Sequence, residues 1–135
     1  CRALSAASQV SAVPAVREKL VAMQRQIAQG KSVVMDGRDI GTKVLPDATL
    51  KVFLTASAEV RARRRYDELS CKGMHEPYEK VLEELIRRDE VDTHREASPL
   101  RKAEDAVEVD CSQMTLEEVV ETVVSLARQA VEGKA

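Results

Sequence analysis

The stretch VVMDGRD, residues 33–39, ends an apolar run in two carboxylates around an arginine. Asp36, Arg38 and Asp39 are residue types that grip polar ligands. A guanidinium donates in a planar fork that fits phosphate or carboxylate oxygens, and a carboxylate accepts from amines, hydroxyls or another arginine. Two further clusters offer the same chemistry. In RRDEVDTHR, Arg88, Asp92 and Arg95 stand at i, i+4 and i+7. A helix reaching that far puts two guanidiniums and a carboxylate on one face. In VRARRRYDEL, Arg61, Arg64 and Arg65 stand at i, i+3 and i+4, and Arg63 points elsewhere. Each pattern has a plainer alternative. Charge runs also form solvated faces whose ion pairs are worth roughly 0.2–0.5 kcal/mol each, and Asp36–Gly37 also suits a simple turn. Spacing alone leaves both possibilities open.

The elements that would position these residues can be read from periodicity and punctuation. Pro14 opens a helix in which Val16, Leu20, Met23 and Ile27 recur at helical spacing, and Gly30 ends it. Residues 32–36 read as a strand buried on both faces, and 37–50, with two glycines and Pro46, as a loop. LKVFLT, 50–55, is the next strand. Ser57 is a candidate N-cap for a helix to about Leu69, with Glu59 in its first turn. SCKGM, 70–74, breaks it. Residues 76–92 are helical again, with Val81, Leu82, Leu85 and Ile86 on the apolar face. After a polar loop over 93–105 comes a third strand, 106–110, ending in Asp110. A last helix follows, with Thr115 and Glu118 spaced as a capping box. Strands separated by helices imply crossovers, hence a parallel sheet flanked by helices. Ligands collect beyond the carboxyl ends of such strands, where Asp36–Asp39 and Asp110 fall.

Composition narrows the function. The 135 residues are 33% charged and 44% apolar with net charge -2, fitting one soluble domain, 1–135. That charge gives no general attraction to nucleic acid or an anionic membrane, so an anion site must be a local arginine cluster. One Phe, two Tyr and no Trp leave few platforms for stacking bases. No run has the length of a spanning helix, and residues 1–30 lack the layout of a signal peptide. Cys1, Cys71 and Cys111 are scattered, which reads as reduced thiols in a cytoplasm. Neither His75 nor His94 lies at ligand spacing from a cysteine, so no metal site is expected.

With these residues in view, DGRDIGTKVLPDATLKVFLTASAEVRARRRYDEL closely resembles the middle of bacterial cytidylate kinases. EKVLEELIRRDEVDTHREASPL, within 76–100, looks like their mobile lid. AEDAVEVDCSQMTLEEVV looks like their last strand and helix, and SAASQVSAVPAVREKL like the helix start before the D-G-R-D strand. The resemblance implies an α/β fold of the P-loop nucleoside monophosphate kinase type, a three-layer parallel sheet flanked by helices. It implies transfer of the γ-phosphoryl of ATP to CMP or dCMP with Mg²⁺, by a cytoplasmic monomer. Carried over by position, Ser8, Arg17 and Asp39 would read the cytosine edge. Arg38, Arg88 and Arg95 would hold the phosphates and act in catalysis, Asp92 would take the ribose hydroxyls, and Arg64 would lie near ATP. Those three base-reading residues argue against another nucleoside monophosphate.

The sequence departs from the family in containing no G-x-x-x-x-G-K-[ST], the loop that cradles ATP phosphates and supplies a Mg²⁺ ligand. With Cys1 first, the expectation is the C-terminal part of a longer kinase, its N-terminal strand and P-loop absent, and inactive alone. The alternative is a nucleotide-binding or regulatory module that transfers no phosphate. Val91 stands where the family often carries a further arginine.

Overall fold

The computed structural model describes residues 10–11, 13–96 and 98–133. Ser8 and Cys1 lie outside the described residues. The chain forms two compact units. One comprises residues up to Asp47 together with Arg87–Ala103, the other Ala48–Ile86 together with residues from Glu104 onward.

In the second unit, strand β1 (Val52–Thr55) and strand β2 (Val107–Asp110) pair in parallel, with Val52 opposite Val107 and Thr55 opposite Asp110. The ladder runs on at both ends, through Val107 N–H to the Lys51 carbonyl and Cys111 N–H to the Thr55 carbonyl. Helix α2 (Ala58–Cys71) starts at Ser57, whose hydroxyl accepts from the Val60 N–H. It stops before Gly73, which sits at φ 72°, a left-handed conformation that costs glycine nothing. Helix α3 (Tyr78–His94) begins in this unit, and the boundary between the units falls within it, after Ile86. The core joins Ala62 and Leu69 of α2 to Val81 of α3, with Tyr66, Tyr78, Leu82 and Leu85 packed around them. Ile86, expected on the same apolar face, is exposed instead.

Helix α4 (Leu116–Glu132) closes this unit, and both halves of its capping box form. The Glu118 carboxylate accepts from the Thr115 N–H at 2.7 Å and the Thr115 hydroxyl from the Glu118 N–H at 3.2 Å. Thr115→Ala should therefore lower stability by about 1 kcal/mol. The check is a lower urea midpoint at unchanged slope.

The first unit holds helix α1 (Pro14–Ala28), with Pro14 in its first turn and Gly30 just beyond its end at φ 69°. A single π-helical turn (Ile40–Val44) interrupts the predicted loop. The strand expected over 32–36 does not form. Residues 32–36 are irregular, Val34 is 102% exposed, and among the described residues the sheet has two strands rather than three. An apolar run becomes a strand only when a neighbour takes its N–H and C=O groups, and among the described residues this segment has no strand partner. The three-layer architecture reduces, in the described residues, to helices with a small parallel sheet. None of their helices is long and apolar enough to cross a membrane.

Candidate functional site

The buried residues of the first unit are unusual in kind. Among its described residues Val44 is the hydrophobic one, and Asp39, Asp92, Arg95 and Ser98 are buried as well. Buried ion pairs seldom stabilise a fold more than well-packed hydrophobic residues would. A polar interior of this sort is expected where the fold serves a site.

Two clusters make it up. At the first, Arg17 of α1 forks onto Asp39, with Nε 3.1 Å from one carboxylate oxygen and Nη2 2.5 Å from the other. Asp39 is held by the turn that follows it, because its carbonyl accepts from both the Lys43 and Val44 N–H groups, at 2.8 and 3.2 Å. Further along α1, Arg25 donates to the carbonyls of Lys43 and Val44. Helix α1 is thus bolted at two points to the D-G-R-D-I-G-T-K-V segment. Lys43 points its charge to the surface while Val44 packs inward. Turns of the π type recur at functional sites.

At the second, Asp92, 1% exposed, gathers three arginines. Arg38 Nε lies 2.5 Å from one carboxylate oxygen and Arg88 Nε 3.9 Å from the same atom, with Arg95 Nη1 3.3 Å from the other. Helix α3 ends at His94, so Arg95 stands just past its last turn and still meets Asp92. Arg95 Nε donates to the Ser98 carbonyl at 2.6 Å, and its Nη2 is buried without a hydrogen-bond partner among the described residues. Burial depresses the Arg95 pKa below the usual arginine value. The Arg17 and Arg38 charges push the same way, against the pull of Asp92 and Asp39. Four guanidiniums face two carboxylates here. The excess of positive charge suits a phosphomonoester, which carries close to two negative charges at neutral pH.

Arg17, Arg38, Asp39, Arg88, Asp92 and Arg95 are therefore brought together within one unit. The cluster Arg61, Arg64 and Arg65 belongs to the other unit and is used differently. Arg61 donates to the Ala56 carbonyl and Arg65 to Glu68, while Arg64 Nη2 reaches the carbonyls of Cys111 and Met114 at 2.6 and 3.1 Å. Arg61 and Arg64 also line an open cavity of about 460 Å³ with Leu54, Thr55, Thr115 and Val119. Arg63, pointing elsewhere as expected, lies 4.6 Å from the Tyr78 ring centroid.

Asp110 is satisfied locally, since its carboxylate accepts from the Ser112 hydroxyl and N–H at 2.6 and 2.9 Å. Those bonds hold its carboxyl below the usual range. Asp36 and Val91 are exposed. Cys71 and Cys111 are free thiols. Among the described residues no group of three or more His, Cys, Asp or Glu is set to hold a metal ion. Sequence reasoning missed Arg25 and Ser98. Arg25 shares a helix with Arg17, but its partners are backbone carbonyls, which leave no mark in residue types.

The cytidylate kinase family model matches residues 3–129. The cytidylate kinase of Caldanaerobacter subterraneus subsp. tengcongensis is 57% identical over 127 residues, covering 94% of this chain and 57% of the relative. That of Geobacillus kaustophilus is 51% identical over 127 residues, covering 94% and 57%. That of Mycobacterium avium is 55% identical over 126 residues, covering 93% and 55%. The chain thus spans little more than half the length of the curated relatives it matches. On the match to the family model and the identity to these relatives, the chain belongs to the cytidylate kinase family.

Proposed function

We propose that the protein phosphorylates CMP and dCMP to the diphosphates at the expense of ATP, with this chain supplying the acceptor site and lid. The observation that carries the reading is the buried, unpartnered Nη2 of Arg95 inside a cluster with excess positive charge. A buried donor without a partner is costly, and a phosphate oxygen is the acceptor that suits it.

In this reading Arg38, Arg88 and Arg95 hold the phosphates and act as catalytic residues. Phosphoryl transfer asks for positioning and spread positive charge more than for covalent chemistry, so arginines are the fitting groups. Asp92 sets the arginines and accepts from the ribose hydroxyls. Arg17, Asp39 and Ser8 read cytosine. Its N4 amine needs an acceptor and its N3 and O2 need donors, which Asp39 and Arg17 supply side by side. Uracil inverts part of that pattern and would leave buried groups unpaired. The segment 76–100 acts as a lid that keeps water from the transferring group, and Arg64 lies near ATP. The family's chemistry employs Mg²⁺, but the described residues offer it no ligand cluster, so no step here is routed through it.

The same reading makes the protein a cytoplasmic monomer and the chain alone inactive in transfer. A nucleotide-binding or regulatory module is the second reading, favoured by a sequence that keeps the acceptor residues without G-x-x-x-x-G-K-[ST]. ADP release dependent on CMP, measured on the whole protein rather than on this chain alone, separates the two.

Calorimetric titration tests the site itself. CMP and dCMP should bind more tightly than UMP and AMP, and Asp39→Ala should erase that preference. A polar pocket of this kind discriminates by about 100-fold or more. An unchanged preference in Asp39→Ala would remove Asp39 from base recognition.

A further inference from the structure

Ser98 is not among the residues that the family resemblance carries over, yet the geometry around it is specific. Its φ is 54°, the left-handed region, and among the described residues it is the non-glycine residue found there. A side chain with a Cβ disfavours that conformation. Pro99 follows and disfavours the right-handed helical alternative. The residue is buried, and the segment is tied back to α3 by the Leu100 N–H, which donates to the Asp92 carbonyl at 2.7 Å.

The reversal aims the Ser98 carbonyl at Arg95 Nε, 2.6 Å away. On its other edge the same guanidinium donates through Nη1 to Asp92 at 3.3 Å. Two contacts on different atoms of a planar group fix its plane. What remains is Nη2, buried and without a partner among the described residues.

We infer that Ser98 is a positioning residue, whose left-handed backbone sets the plane of the Arg95 guanidinium so that Nη2 is presented to a phosphate oxygen of the bound nucleotide. This rests on the proposed phosphate site and deepens it. The chain accepts a disfavoured conformation at Ser98, and in return Arg95 is pre-oriented rather than ordered on binding. Pre-organisation of this kind appears as affinity.

The test compares CMP with cytidine by calorimetry, so that the phosphate's contribution is isolated from that of the base. The wild-type chain should bind CMP at least about tenfold more tightly than cytidine. Ser98→Asn, which tolerates the left-handed region, should keep that ratio within about twofold, and Ser98→Val, β-branched and averse to it, should reduce it about tenfold with cytidine affinity unchanged. The inference is overturned if Ser98→Val keeps the wild-type ratio. It is also overturned if Ser98→Val loses cytidine affinity in proportion, since the residue then serves only folding, or if Ser98→Asn loses as much as Ser98→Val. A wild-type ratio near one would instead bring down the phosphate site, and Ser98's role with it.

Discussion

Arg95→Met should leave the chain folded and weaken CMP binding by about 100-fold, with cytidine binding little changed. Methionine keeps an unbranched apolar stem of similar reach and removes the guanidinium, so most packing along the stem survives. Asp92 keeps Arg38 at 2.5 Å and Arg88 at 3.9 Å, so its charge stays compensated. What is lost is the donor whose Nη2 is buried without a partner. A charge-assisted hydrogen bond of that kind is worth about 1.5–3 kcal/mol, which corresponds to between tenfold and somewhat over 100-fold in affinity. In the whole protein, on the function proposed above, the loss in transfer should be at least as large, because removing one positioned donor to developing charge costs about 100- to 1000-fold in kcat. Arg95→Lys should recover little. An ammonium restores charge but not the fork that bonds Ser98, Asp92 and a third acceptor at once. Titration with CMP and cytidine checks the binding claim. If Arg95→Met binds CMP as the wild type does, the phosphate lies elsewhere.

How much of this was legible in advance depends on how local each feature is. Ser57, and Thr115 with Glu118, announce helix starts through contacts three residues long, and both caps form. Strands 52–55 and 107–110 follow from short apolar runs between helices, and they pair in parallel as the crossover argument requires. Residues 32–36 carry as clear an apolar signal as either strand, yet they remain irregular, with Val33 and Val34 exposed. A run of valines states a preference for burial. It does not state which chain supplies the other half of the ladder. The site divides in the same way. Arg88, Asp92 and Arg95 meet through helical spacing that can be counted in the sequence. Arg17 with Asp39, and Arg38 with Asp92, join positions 22 and 54 residues apart, and only the family resemblance grouped them beforehand. Arg25 and Ser98 work through backbone carbonyls, so residue-type patterns pass over them.

Asp92→Ala should be the most destabilising single change at the site, at about 3–5 kcal/mol, the range for removing one partner of a buried ion pair. The contributions of its three arginines are unequal. Arg38 and Arg88 are each more than a third exposed, so water screens what they lose and their share is small. Arg95 is 4% exposed and already held below its usual pKa by burial and by the Arg17 and Arg38 charges. Removing Asp92 takes away its nearest counter-charge and leaves the guanidinium to face those charges. Asp92→Asn should cost less, because the amide oxygen still accepts, but it should not reach wild-type stability. Urea denaturation followed by circular dichroism measures both. The electrostatic account makes a second demand. Inorganic phosphate should stabilise Asp92→Ala more than it stabilises the wild type, because a bound dianion supplies the missing negative charge and ligands that bind only the folded state raise its stability. A deficit below about 1 kcal/mol, the scale of an exposed ion pair, or one that phosphate does not narrow, would mean that the carboxylate and its arginines are not electrostatically coupled. The excess positive charge would then be no argument for a phosphate site.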